Sequence, residues 1–211
     1  MCADAGRNFM NTLPGQITLP GEVRFARLLP GPIEQVWAYL TDPVKRQTWL
    51  ASGAMEAQVG GKVELEFFHS KLSPGEKPSP EYSDFEDGHK MEGVLLHYQA
   101  PRVLAFTWGG GAQKSEVTIE LKPHGKQVQM VLTHRKLLDR EQIESVSGGW
   151  HVHLMFLIAV LEKRKPPLFW ATHAKMKGEY AKRLDVLLGE GSTHVNPKRT
   201  AKSGPVPRTR G

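Results

Sequence analysis

GGWHVHLMFLIAVLE, residues 148–162, reads as a helix with no face for water: only His151 and His153 interrupt an apolar run from Trp150 to Leu161. A helix that is apolar all round is stable only when other structure encloses it. Gly149 is read as opening this helix, which runs to about Lys163. Upstream of it lie six segments with the two-residue alternation of half-buried strands. A curved antiparallel sheet wrapped around one late helix makes a container, so the fold class expected is α+β, with space for a ligand between sheet and helix.

The strands are read at Glu22–Leu29, Val63–Phe67, Met91–Tyr98, Val103–Trp108, Glu116–Leu121 and Gln127–His134. Ala100-Pro101-Arg102, Gly109-Gly110-Gly111 and Pro123-His124-Gly125 separate the last four, and connections that short imply antiparallel pairing. Between the first two strands, Ile33, Val36, Trp37 and Leu40 recur at helical spacing behind Pro32, a residue suited to a helix start. A second helical piece, Val44 to Leu50, brings in Trp49. His69 to Lys90, with Pro74, Pro78, Pro80 and the acidic Asp84, Glu86 and Asp87, reads as a polar loop over one rim. Arg140 to Val146 reads as a polar approach to the core helix. Pro166-Pro167 breaks the helical pattern after it, because proline removes a backbone donor and clashes with the preceding turn. Beyond Phe169-Trp170, the stripe Tyr180, Leu184, Leu187, Leu188 marks an amphipathic surface helix.

The 211 residues suit one domain with tails. Residues 1–21 are expected to be a flexible leader, 22–188 the folded domain, and 189–211 a disordered basic tail. The net charge of +6 is mostly the tail's. Five basic residues there stand against Glu190, leaving the remainder close to balanced. The tail's Gly, Pro, Ser and Thr cannot bury enough apolar surface to offset the entropy of ordering. A solvated basic tail is the expectation, and nucleic acid is not an expected partner. No window approaches the roughly 18 apolar residues of a membrane span, so none is expected. The N-terminus, with Asp4 and Arg7, lacks the apolar centre of a secretory signal. A single cysteine, Cys2, allows no disulfide framework. These features point to the cytoplasm.

Motifs in order along the chain resemble those of a known family. In the front half they are Pro32 to Trp37, Leu40-Thr41-Asp42-Pro43, Trp49-Leu50 and Val59-Gly60-Gly61-Lys62. In the back half they are Met91-Glu92-Gly93-Val94, Leu104 to Trp108, Ser115 to Leu121, Val131-Leu132-Thr133-His134 and Gly148-Gly149-Trp150. The set is similar to the family named after the activator of the ninety-kilodalton heat-shock protein's ATPase, from about Glu22 to Glu162 and more weakly to Leu184. The resemblance implies a START-like, helix-grip fold of the SRPBCC superfamily, in which the sheet and a C-terminal helix leave a hydrophobic cavity. Members include small-ligand carriers, cyclases and co-chaperone activators, so fold alone does not name an activity.

The inward-facing candidates for the cavity wall are Trp49, Phe67, Leu95, Phe106, Trp108, Val117, Met130, Trp150, Leu154 and Leu157, with His134 placed to orient a polar group of the ligand. A metal is not expected: His151 and His153 lie two apart, which on a helix points them about 200° from each other, whereas helical zinc pairs use a spacing of four. No cofactor is expected either, since the glycine clusters lack phosphate-loop spacing. The leading expectation is binding of a hydrophobic or aromatic small molecule. The alternatives are a protein-interaction module of co-chaperone type, working on a protein partner through the sheet surface and the basic tail, and a cyclase or hydrolase using a cavity histidine.

Overall fold

The computed structural model describes residues 9–78, 80–85, 87–111 and 114–192. Its strands are β1 (Gln16–Thr18), β2 (Glu22–Pro30), β3 (Lys62–Phe67), β4 (His89–Gln99), β5 (Val103–Trp108), β6 (Ser115–His124) and β7 (Gln127–Arg135). They form one antiparallel sheet in the order β1-β2-β7-β6-β5-β4-β3. The six strands read from alternation are all present. The seventh, β1, lies in the stretch read as a flexible leader, where three residues carry too little pattern to be seen. Residues 9–18 are tied to the body by more than that pairing. The Asn11 side chain donates to O of Leu28 and accepts from its N–H, both at 2.9 Å, and the Gly15 N–H donates to the Tyr180 hydroxyl at 2.6 Å. The last helix runs to Ser192, so the first four residues of the tail expected at 189–211 are helical; residues 193–211 and Cys2 lie outside the described residues.

The helices are α1 (Ile33–Thr41), α2 (Pro43–Arg46), α3 (His69–Leu72), α4 (Arg140–Leu161) and α5 (Phe169–Ser192), with a 3₁₀ segment at Pro80–Phe85. The core helix α4 therefore begins nine residues before Gly149. Asp139 starts it, accepting from the Gln142 N–H at 2.9 Å while the Gln142 side chain reaches back to the Leu138 N–H at 3.1 Å. The arrangement is related to a capping box, with the return bond made to the N–H one residue before the cap. From Trp150 to Ala159 every residue except Met155 is buried, so the sheet and α5 enclose the apolar run as its composition requires. An 18-residue window of α4 reaches a mean hydropathy of 1.2, long and apolar enough by composition to cross a membrane. The expectation that no window comes near that limit thus needs correcting; 67% of the window is buried within the fold.

Gly148 and Gly149 serve two different purposes inside α4. A side chain at Gly148 would place its Cβ 3.3 Å from the backbone N of Lys177, so the glycine lets α5 cross close to α4. At Gly149 nothing lies within 4 Å of that position. It faces empty space.

The α1–α2 corner is held by Arg46, 1% exposed. Nε donates to O of Ala51, Nη1 to O of Leu40 and Thr41, and Nη2 to O of Ser52 and Gly53. The corner also fixes Trp49, fully buried, whose Nε1 donates to O of Tyr39 at 2.8 Å.

Candidate ligand cavity

Sheet register sets which residues face α4. Leu95 pairs with Phe106, Phe106 with Val117, Val117 with His134 and His134 with Val23, so these five form a row across the sheet. All are buried under α4. Trp49, Met130, Leu154 and Leu157 extend the same packed core, with none more than 1% exposed. Eight of the eleven expected wall residues thus sit in solid core: Trp49, Leu95, Phe106, Val117, Met130, His134, Leu154 and Leu157 do not line the cavity. Sequence alternation identifies the inward face of a strand, but not where along it packing ends and empty space begins.

The space lies at one end of the core. A cavity of about 190 Å³ opens where the ends of β3, β4 and β5 meet α3, the 3₁₀ segment, one face of α4 and the first turn of α5. Phe67, Trp108 and Trp150, all expected, line it. Helical spacing on α4 adds Ser145, Val146, Gly149 and His153 to the same wall. Phe169, Trp170 and His173 come from α5, and His69, Tyr82, Phe85 and His89 from the segment read as a polar loop.

The walls are nearly all aromatic. His89 stacks on Phe67 with centroids 4.6 Å apart and planes at 5°, and Phe85 meets His89 edge-on at 4.7 Å. Tyr82 stacks on Trp170 at 5.6 Å, Trp108 packs on Trp150 at 5.1 Å, and His69 lies 4.4 Å from Phe169. Tyr82, Phe85, His89 and Trp108 are half-buried and form the rim, whereas His69, Phe67, His153 and Phe169 are buried.

The first turn of α5 is positioned from far away in sequence. Ser73 Oγ accepts from the Phe169 N–H at 3.3 Å, and the Glu76 carboxylate accepts from the N–H groups of Trp170 at 3.0 Å and Ala171 at 2.8 Å. A carboxylate is favourable at a helix N-terminus, where unpaired N–H groups carry partial positive charge. The loop between α3 and the 3₁₀ segment thereby caps α5, and the 3₁₀ segment that follows contributes Tyr82 and Phe85 to the rim. Phe169 and Trp170, absent from the expected wall, pack back onto the domain and form part of it.

Burial keeps the histidines neutral. It lowers His153 and His173 to about 4 and His69 to about 2, the last with added repulsion from His153, His89 and His173; His89 is lowered by burial too. Among the described residues no Asp, Glu, Lys or Arg lines the cavity, and no group of three His, Cys, Asp or Glu is arranged to hold a metal ion. Nδ1 of His69 and Nδ1 of His89 are buried without a hydrogen-bond partner.

His134, expected to orient a ligand, does something else. Trp150 Nε1–H donates to its Nδ1 at 2.9 Å, which places its proton on Nε2, 2.7 Å from Ser115 Oγ. Both nitrogens are engaged, the ring is fully buried, and burial lowers it to about 3. It locks β6, β7 and α4 together and has no nitrogen left for a ligand or for proton transfer.

The chain has clear relatives. The model of the family described as activator of Hsp90 ATPase homolog 1-like protein matches residues 30–162. A solution NMR structure of a protein from Bordetella parapertussis is 44% identical over 80% of this chain and 88% of that one, with a TM-score of 0.70. The crystal structure of CalU16 from Micromonospora echinospora, at 19% identity over 83% of this chain and 95% of that one, has a TM-score of 0.57. A conserved protein of unknown function from Enterococcus faecalis, at 16% identity over 86% and 98%, has a TM-score of 0.61. These last two share the helix-grip fold. None of the curated proteins compared matches the chain. The sequence match across residues 30–162, carried on a sheet that grips one long helix, makes this chain a member of the activator of Hsp90 ATPase homolog 1-like family.

Proposed function

We propose that this protein binds a small, hydrophobic, aromatic molecule in the cavity between its sheet and α4. The observation that carries the reading is the aromatic-walled space of about 190 Å³ into which Gly149 looks. An apolar cavity of about 150 Å³ holds one benzene ring, so this one suits one or two fused rings. Offset and edge-on ring contacts of the kind seen in its walls contribute ~1 kcal/mol each beyond area burial. The exposed large apolar side chains include Val59, Val94 and Leu96, and Phe9, Leu13 and Leu19 near the N-terminus. A docking face for a partner protein would use such residues, whereas the cavity is walled by aromatic rings. The engagement of both nitrogens of His134 counts against that histidine as the base of a cyclase or hydrolase. A cytoplasmic setting belongs to the same proposal, supported by a sequence with no capacity for an intrachain disulfide.

Thermal shift against one- and two-ring aromatics tests it, on the parent and on Gly149→Leu, whose side chain grows into the space. The melting temperature of the parent rises with ligand concentration as mass action requires, and that of Gly149→Leu does not respond. A parent protein indifferent to the whole panel contradicts the proposal.

A further inference from the structure

His153 carries more information than the walls around it. Its Nδ1 lies 2.7 Å from O of Trp49. A carbonyl oxygen only accepts, so Nδ1 holds the proton, and the neutral ring is left with a lone pair on Nε2. That atom has no hydrogen-bond partner among the described residues, and the ring lines the cavity. Trp49, which holds the ring, is itself fully buried and pinned to Tyr39, so the lone pair is held in place before any ligand arrives.

His69, its centroid 5.6 Å from that of His153, has the complementary character. Its Nδ1 is buried without a partner. A buried orphan acceptor is tolerated better than a buried orphan N–H, which puts the proton on Nε2 and makes that nitrogen a donor. Lys177, which lies over the rim residue Tyr82, is paired with Glu81 at 3.2 Å. A charged ligand would therefore meet uncharged walls and lose its hydration without a counter-charge. A carboxylate would also set its lone pairs against that of His153. The neutral group that donates to one imidazole and accepts from another is a hydroxyl.

Resting on the reading of the cavity as an aromatic binding site, we propose that its ligand is a neutral hydroxylated aromatic of one or two rings, a phenol, whose O–H donates to Nε2 of His153. His69 faces the same hydroxyl as donor.

Calorimetric titration of the full chain with 2-naphthol, 2-methoxynaphthalene and naphthalene tests this. The methoxy compound keeps the oxygen and loses the donor. The parent protein binds 2-naphthol roughly tenfold more tightly than either of the others, the effect of one buried hydrogen bond. His153→Phe keeps an aromatic ring, binds naphthalene within about threefold of the parent, and shows no preference for 2-naphthol. Equal binding of 2-naphthol and 2-methoxynaphthalene by the parent, or a preference that survives in His153→Phe, overturns the phenol proposal and leaves the aromatic site standing. Binding of none of the three overturns the aromatic site and the phenol proposal with it. Should His153→Phe not fold, the comparison among the three compounds on the parent decides alone.

Discussion

His134 and His153 are both buried imidazoles kept neutral by their surroundings, and each belongs to a different kind of interior. Around His134 every polar atom is answered: Trp150 donates to one nitrogen and Ser115 meets the other. Around His153 one nitrogen is anchored and the other is open, and the neighbouring His69 and His89 each keep a buried Nδ1 with no partner. Buried polar groups in folded proteins are normally paired, and the exceptions need a reason. Here the paired nitrogens of His134 stitch strands to the core helix, and two of the buried unpaired atoms, Nδ1 of His69 and Nδ1 of His89, belong to rings that line the aromatic cavity. For these two histidines, polar satisfaction separates scaffold from site more sharply than hydrophobicity does, since both surroundings are apolar and aromatic.

Acid is the broadest way to strain both interiors at once. The unfolded chain binds protons at histidines near 6.5, whereas His69, His134, His151, His153 and His173 resist them down to about 4 or lower when folded. Stability is thus complete above 6.5 and lost as pH falls toward 4, by about 1.4 kcal/mol per pH unit for each such histidine. Urea unfolding between pH 7.5 and 5 should show a steep decline before ordinary carboxylates begin to titrate; a flat profile would mean that these rings are not held neutral.

Two buried arginines offer the same contrast. Arg46→Met strips the partners from five carbonyl oxygens and is expected to cost ~3 kcal/mol or more. Arg27 is equally buried, but only Nη1 has a bond, to O of Ala26, while Nε and Nη2 have none. Arg27→Met removes an uncompensated buried cation and should stay within about 1 kcal/mol of the parent. Equal losses for the two variants in chemical denaturation would break the link between satisfaction and scaffold.

Two aromatic truncations sharpen the boundary further. Phe106→Ala, in packed core, should lose ~3 kcal/mol of stability and keep its affinity for an aromatic probe. Trp108→Ala, on the half-buried rim, should lose roughly tenfold in affinity with the smaller drop in melting temperature. The reverse ranking would move the cavity wall to β5's interior and make Trp108 plain core.

Most of the fold was legible because it rests on local pattern. Period-two alternation marked β2 to β7, and an all-apolar run marked α4. The start of α4 was missed: its polar first turns, Arg140 to Val146, read as an approach to the helix, although Asp139 followed three residues later by Gln142 is a helix-start signal. The cavity was less legible. Phe67, Trp108 and Trp150 follow from inward-facing position, yet so do the eight residues that pack solid. What distinguishes them is where the core stops, and that depends on Glu76 and Ser73 capping α5 from more than ninety residues away in sequence. Tyr82 and Phe85 were hidden among prolines and acids whose composition reads as loop. His153 was rejected as a metal ligand from its spacing to His151; its carbonyl anchor on Trp49 appears only in three dimensions.

The most direct test of the distinction is a long-range proton–nitrogen correlation spectrum of the histidine rings, recorded with and without 2-naphthol. His153 should appear protonated on Nδ1 and His134 on Nε2, and the ligand should shift Nε2 of His153 while leaving His134 in place. A His153 protonated on Nε2, or a ligand that moves His134 and not His153, would contradict the division of this interior into a closed scaffold and an open site.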